Sequence, residues 1–381
     1  MADGYYRSYL NSAMSLFDIN ITIESQSKSI ESGVTIDLEG IVNFITLVEP
    51  AWSPDKLKHL NTSIHLEGLN IINGYTPMDG GVIYVKVFFT KLYLTLVDCV
   101  FKNNTAVSSA AVLHIRIDYH STVIGYDNPP VINIDGCRFL GNSANEFTVL
   151  YSNNGNATIS NSIFQDNYTS RNGIVFTGGR VQMFQCLFFN NTANQMTLFL
   201  LKNMLDTVRI DGTEFIGNTI QNTKVPTITP SIIAAIGAQI QFSNCLFESN
   251  VNASQVFQSG YQAVKKGSST FDNCTFSNNR GDIKGAGIYS LLTKLIIQHS
   301  TFNNNSGYLG SHIYAFDTKE VSISNSSFTN SPPNTFGSGQ SIYLFNIKNM
   351  NVSNLITRFR RRQRRKAYKS MIDSEYDYND N

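Results

Sequence analysis

Ile132–Asn142 reads INIDGCRFLGN, Ile240–Asn250 reads IQFSNCLFESN and Leu295–Asn305 reads LIIQHSTFNNN. Aligned on the Phe, the three share apolar residues seven and five places before it, a small residue two places before it and an Asn three places after it. Side chains two apart on an extended chain point the same way, so this frame predicts a strand with one buried face. An Asn fixed beyond the strand tolerates the left-handed backbone region and reads as a turn.

The frame recurs at nine phenylalanines, Phe101, Phe139, Phe164, Phe188, Phe215, Phe247, Phe276, Phe302 and Phe328, spaced by 38, 25, 24, 27, 32, 29, 26 and 26 residues. Two places before them stand Cys99, Cys137, Ser162, Cys186, Thr213, Cys245, Cys274, Ser300 and Ser326, a column that holds all five cysteines of the chain. Five places before them the column is Leu96, Ile134, Ile159, Met183, Ile210, Phe242, Phe271, Ile297 and Ile323. Three places after them come Asn104, Asn142, Asn167, Asn191, Asn218, Asn250, Asn279 and Asn305, with Ser331 in the last copy. Stacking would set those amides above one another as a ladder. Ile64, Leu66, Leu69, Ile71 and Gly74 form a degenerate earlier copy. A second apolar patch follows, for example Ile174 to Phe176 and Ile313 to Phe316, so each repeat holds at least two short strands.

Units of this length with no helical period and no Asn-Gly hairpin signal suit parallel stacking, the longer copies carrying insertions. The expected fold is all-β: a right-handed single-stranded parallel β-helix, or solenoid, of about ten or more coils. One coil cannot bury its own inward face, and neighbours about 4.8 Å away cover it. Residues 1–62 lack the frame and are expected to form irregular N-terminal coils or a cap, 63–357 the repeats, and 358–381 a disordered basic then acidic tail. The stretch MNVSNLI, Met350 to Ile356, begins a further coil in which Thr357 takes the Phe position. That break, with an N-terminus lacking a signal-peptide pattern, suggests a fragment of a larger surface protein.

Only 15% of the 381 residues are charged, 12% are aromatic and the net charge is +1. The body therefore has no bulk electrostatic reason to bind nucleic acid or an anionic membrane. Five cysteines without a C-x-x-C pair argue against a disulfide framework or a zinc site, and no metal or cofactor is expected. No apolar window long enough for a membrane helix occurs, so membrane association is expected only through segments of a parent chain.

The quoted signature resembles the right-handed β-helix repeats of the pectin-lyase-like superfamily. It is most similar to the Phe-x-x-Asn repeats of polymorphic outer-membrane proteins and of large repeat-bearing surface proteins of protists. GAGIY, Gly285 to Tyr289, is similar to the Gly-Gly-Ala-Ile partner motif of that group. The resemblance covers Ile64 to Ser331 and implies the fold. For function it implies either a carbohydrate-active enzyme or a non-catalytic adhesin or scaffold.

An enzyme on this scaffold needs carboxylates on neighbouring coils. Asp135 and Asp211 fall three coils apart, about 14 Å at the strand spacing, too far for an acid–base pair. The best constellation is Asp98 next to Asp135, with Arg116, Arg138, His114 and His120 near in sequence and an insertion from Asp118 to Pro130. The alternative for these residues is a set of solvated outward side chains. Cys99 with Cys137, and Cys245 with Cys274, either bridge adjacent coils or serve as compact buried hydrophobes. Eleven N-x-S/T sequons, among them Asn61, Asn103, Asn156, Asn190, Asn273 and Asn325, permit a glycosylated surface. The run RFRRRQRRK, Arg358 to Lys366, is a nuclear-import or nucleic-acid patch, the flank of a membrane helix, or a solvated tail.

The functional expectation is a non-catalytic cell-surface or secreted scaffold or adhesin whose partner is a glycan or a surface protein. The rival is a polysaccharide lyase or glycoside hydrolase acting on acidic glycans.

Overall fold

A computed structural model describes the chain except at residues 3, 8–13, 16–19, 29–32, 41–42, 49–60, 88–90, 118–128, 222–229, 253–254, 260–266, 282–284, 308, 331–340 and 359–381. The chain falls into two units, Met1–Val208 and Arg209–Asn381. Each is a stack of β-coils, and every pairing among the described strands is parallel.

One coil of the first unit shows the plan. Val131–Asp135 alternates inward and outward side chains, and Gly136 turns the chain. Arg138–Leu140 then carries Phe139 inward, Ser143–Glu146 makes a short third side, and Leu150–Asn153 returns. The next coil begins at Asn156–Ser160, in register with Val131–Asp135. A coil therefore has four strand positions, where the sequence predicts at least two. The third is as short as Tyr168–Thr169 or Thr192–Ala193, and two residues are too few to display a period.

Register follows the apolar columns. In the first unit Phe101 pairs with Phe139, Phe139 with Phe164 and Phe164 with Phe188, while Leu96, Ile134, Ile159 and Met183 form one inward file. In the second, Phe215, Phe247, Phe276, Phe302 and Phe328 are consecutive, and Thr357 occupies the next place in that file. Strands outside the Phe frame join the same ladders: Gly4–Arg7 pairs with Val34–Asp37, and Val34–Asp37 with Leu69–Ile72.

Strand spacing forces the rings into stacks. Phe139, Phe164 and Phe188 lie 4.7 and 4.5 Å apart with planes within 6°, and Phe247, Phe276 and Phe302 lie 4.4 and 4.8 Å apart. In the second unit Phe242 and Phe271 stack at 4.9 Å and meet that file edge-on. These rings are all buried, so the interior is covered by neighbouring coils, as the energetics of a solenoid require.

Two left-handed corners bracket the Phe strand. Three places before the Phe stand Asp98, Gly136, Asn161, Gln185, Gly212, Asn244, Asn273, His299 and Asn325, with φ from 46° to 62°. Two places after it stand Asn103, Gly141, Asp166, Asn190, Gly217, Ser249, Asn278, Asn304 and Asn330, with φ from 52° to 62°. The turn residue is thus one place earlier than the sequence frame suggests. The asparagine three places after the Phe keeps ordinary backbone angles and turns its side chain inward.

Candidate functional site

Asn142 shows what the inward amides do. Its Nδ2 donates one hydrogen to the Phe101 carbonyl at 3.0 Å and the other to Asn167 Oδ1 at 3.0 Å. Its own Oδ1 accepts from the backbone N–H and Nδ2 of Asn104 at 3.0 and 3.1 Å. Asn167 repeats the pattern towards Phe139 and Asn191. In the second unit Asn250 and Asn279 do the same towards Phe215 and Phe247, and Asn218 donates to Asn250. At Asn305 the file meets His312, whose Nδ1 accepts from Nδ2 at 3.0 Å. Complete burial pushes the His312 imidazole down to about 3, so it is neutral and able to accept. Asn104, Asn142, Asn167, Asn250, Asn279 and Asn305 each have both donors and the oxygen engaged, which leaves nothing on them for a ligand. Ser331, the ninth member of the column, lies outside the described residues.

The acidic candidates sit elsewhere. Asp98 is a half-buried left-handed corner whose backbone N–H donates to the Asp135 carbonyl at 3.0 Å. Its carboxylate lies over the bare Cα of Gly136 in the next coil, where a Cβ would clash. Partial burial, then the charges of Asp135 and Glu67, hold its carboxyl above the ordinary range. Asp135 is exposed, and its Oδ1 accepts from Ser160 Oγ at 2.7 Å and Asn161 Nδ2 at 2.8 Å. Here a carboxylate at the end of one side of a coil accepts from the corner amide of the next coil. Asn244 to Asp211 at 2.8 Å, Asn190 to Asp166 at 2.6 Å and Asn346 to Asp317 at 2.6 Å repeat that contact. At Asp272 a histidine substitutes: His299 Nδ1 binds it at 2.9 Å and holds that carboxyl below the usual range.

The remaining candidates do not gather around the acids. Arg138 points outward from the Phe strand, between Val100 and Ile163 in register. His114 and Arg116 are on Leu113–Ile117, a return strand of another sheet, beside Tyr84 and Lys86. The His114 ring is buried between Tyr84 at 5.4 Å and Tyr151 at 5.0 Å. Burial lowers its pKa. His120 and residues 118–128 lie outside the described part, as does the tail from 359.

All five cysteines are free and buried. Cys99 Sγ donates to the Val97 carbonyl at 3.2 Å and Cys137 Sγ to the Asp135 carbonyl at 3.4 Å. Burial pushes the Cys186 thiol up to about 11 and raises Cys137 as well, which suits those two as compact side chains more than nucleophiles, while the contact with Cys137 lowers Cys99. Among the described residues no group of three or more His, Cys, Asp or Glu side chains is placed to hold a metal ion.

The sequence frame passed over the two corner files. They are held by backbone conformation, which Asn, Asp, Gly, Gln, Ser and His all satisfy, so no single letter marks them. No protein-family model matches the chain, and no curated protein matches it.

Proposed function

We propose that the chain is a non-catalytic scaffold or adhesin segment, secreted or held at a cell surface, on a β-helix of the pectin-lyase-like type. The observation that carries this reading is the use made of Asp135. Its carboxylate is bound by Ser160 and Asn161, in the way the corner carboxylates of Asp211, Asp166 and Asp317 are bound by corner amides. An acid–base pair needs its carboxyls aimed at a substrate, and here Oδ1 of the exposed Asp135 is engaged by the coil that follows. The outward side of the Phe strands in the first unit supports a partner role. It shows Leu140, Ile163 and Leu187 half-buried and Phe189 40% exposed, an apolar run of the kind that meets a protein or the flat face of a sugar. The superfamily assignment rests on the Phe-x-x-Asn frame and on the all-parallel stack.

The rival reading, cleavage of acidic glycans, draws on the raised carboxyl of Asp98 beside Asp135. A product screen separates the two. The full chain, incubated with pectin, alginate and glycosaminoglycans, should release neither unsaturated nor reducing-end products. Turnover by the native chain that disappears in Asp98→Asn and Asp135→Asn would replace the scaffold reading with the enzymatic one.

A further inference from the structure

The sequons of this chain are not equivalent once folded, and the corners decide which of them can carry a sugar. Asn103, Asn190 and Asn304 stand two places after a Phe, and Asn273 and Asn325 three places before one. All five are exposed left-handed residues, with a hydroxyl residue two positions on. Four of them use a single side-chain N–H: Asn190 to Asp166 Oδ1 at 2.6 Å, Asn273 to Asn244 Oδ1 at 2.7 Å, Asn304 to Asn278 Oδ1 at 2.8 Å and Asn325 to His299 Nε2 at 3.3 Å. Asn167 heads a sequon too, but it is 4% exposed, and its Nδ2 donates both hydrogens, to the Phe139 carbonyl and to Asn191 Oδ1, each at 2.9 Å.

We infer that the five corner asparagines are N-glycan acceptors and that Asn167 is not. The inference rests on the surface or secreted reading above. Transfer from a lipid-linked oligosaccharide forms a bond between Nδ2 and the anomeric carbon. It breaks that carbon's bond to the lipid diphosphate, which departs as the leaving group, and releases one amide proton. One N–H remains on the nitrogen. That suffices at a corner, where one donor is used and the substituent enters solvent. It fails at Asn167, where the second hydrogen is needed by the ladder and the site is enclosed by neighbouring coils. Since transfer acts on chain that has not yet folded, a molecule modified at Asn167 could not close its ladder and would be lost from the folded pool. Sugars on the corners would line the edges of the Phe-strand sheet, following it in the first unit and bracketing it in the second.

The test is made on the full chain recovered from its own cells and selected as protease-resistant. Amidase release of the glycans in heavy-oxygen water converts each occupied Asn to labelled Asp, read by peptide mass mapping. Label is expected at Asn103, Asn190, Asn273, Asn304 and Asn325, with Asn167 recovered unchanged. Label at Asn167, or unlabelled corners in a protein that surface biotinylation places outside the cell, overturns the inference. If biotinylation does not reach the protein, the surface reading has failed instead. The acceptor assignment is then decided by the same two results on the full chain secreted from cultured eukaryotic cells behind an added signal sequence.

Discussion

Asn142 and Asp135 lie a few residues apart and both bind the coil that follows, yet they should respond very differently to mutation. Replacing Asn142 by Ala takes the partner away from the Asn104 backbone N–H, from one Asn104 Nδ2 hydrogen and from the Phe101 carbonyl in a dry interior, while Asn167 Oδ1 keeps the backbone N–H of residue 142. At about 1–3 kcal/mol for each unsatisfied buried group, the loss should reach at least about 3 kcal/mol. Native-state hydrogen exchange at the neighbouring coils would register it, and protection unchanged from the native chain would mean that the ladder is dispensable. Asp135→Ala removes the acceptor of two exposed donors that water can satisfy, and should cost less than about 1 kcal/mol in the same measurement.

Two buried histidines give stability a pH dependence. Burial depresses both His114 and His312, so an unfolded chain, whose imidazoles titrate near 6.5, binds more protons below that pH than the native chain does. The stability they permit is whole above about pH 6.5 and drains away as pH falls towards the native value, about 3 for His312. Between pH 6.5 and 4.5 the loss from His312 should be on the order of 2–3 kcal/mol. His312→Asn keeps an acceptor near the Nδ1 position for Asn305 and cannot titrate. Denaturation midpoints of the variant should therefore fall less over that interval. Equal slopes in both chains would show that His312 does not control the response.

At the scale of the element, the Phe strand is three residues long and cannot hold itself. Phe276 stacks at 4.4 Å on Phe247 and 4.8 Å on Phe302, so Phe276→Ala opens a gap in the middle of the file. The expected cost is about 3–5 kcal/mol, with Phe276→Leu milder. Limited proteolysis should cut the variant near Thr275–Ser277, and resistance equal to the native chain would count against the stack as a source of stability. The strand before the Phe strand was legible in the sequence, because burial on one side of an extended chain imposes a period of two on letters as different as Ile, Leu and Met, but the left-handed corner three places before the Phe splits the single strand that the frame predicts into two. The short third strand was not legible, since Tyr168–Thr169 offers two residues and one inward side chain. The corners were misread for another reason. The repeated letter, Asn three places after the Phe, was given the role of the turn, whereas the left-handed residue beside it varies among Asn, Gly, Asp and Ser. Repetition marked the buried amide, where one side chain alone satisfies four hydrogen-bond positions. Tolerance marked the bend.

Within each unit every coil contacts only the coils beside it, and this shapes what the chain can lose. Phe276 and Phe302 are 26 residues apart in the second unit. Removing residues 275–300 joins Cys274 to Thr301 and keeps every column in frame, so the shortened chain should retain its strand signal in circular dichroism and melt cooperatively. Removing residues 275–287 shifts the columns by half a turn of the coil and should abolish both. Equal tolerance of the two deletions would refute nearest-neighbour stacking. The fold was readable because the pattern repeats at this scale. The candidate constellation is legible only in part: Asp98 and Asp135 are neighbours at the end of one side of the coil, while Arg116 and His114, near them in sequence, belong to another side.

The buried amides also give each unit a sense of direction. From Asn104 to Asn191, and again from Asn218 to Asn305, every amide-to-amide bond runs forward, while the second hydrogen, as at Asn142, goes to the main chain of the coil before. Their dipoles therefore add head to tail as peptide dipoles do in a helix, and each bond polarises the next. Such a one-way series has a donor-rich end that must discharge into something other than another asparagine, and His312, stripped of its proton by burial, serves as that terminus.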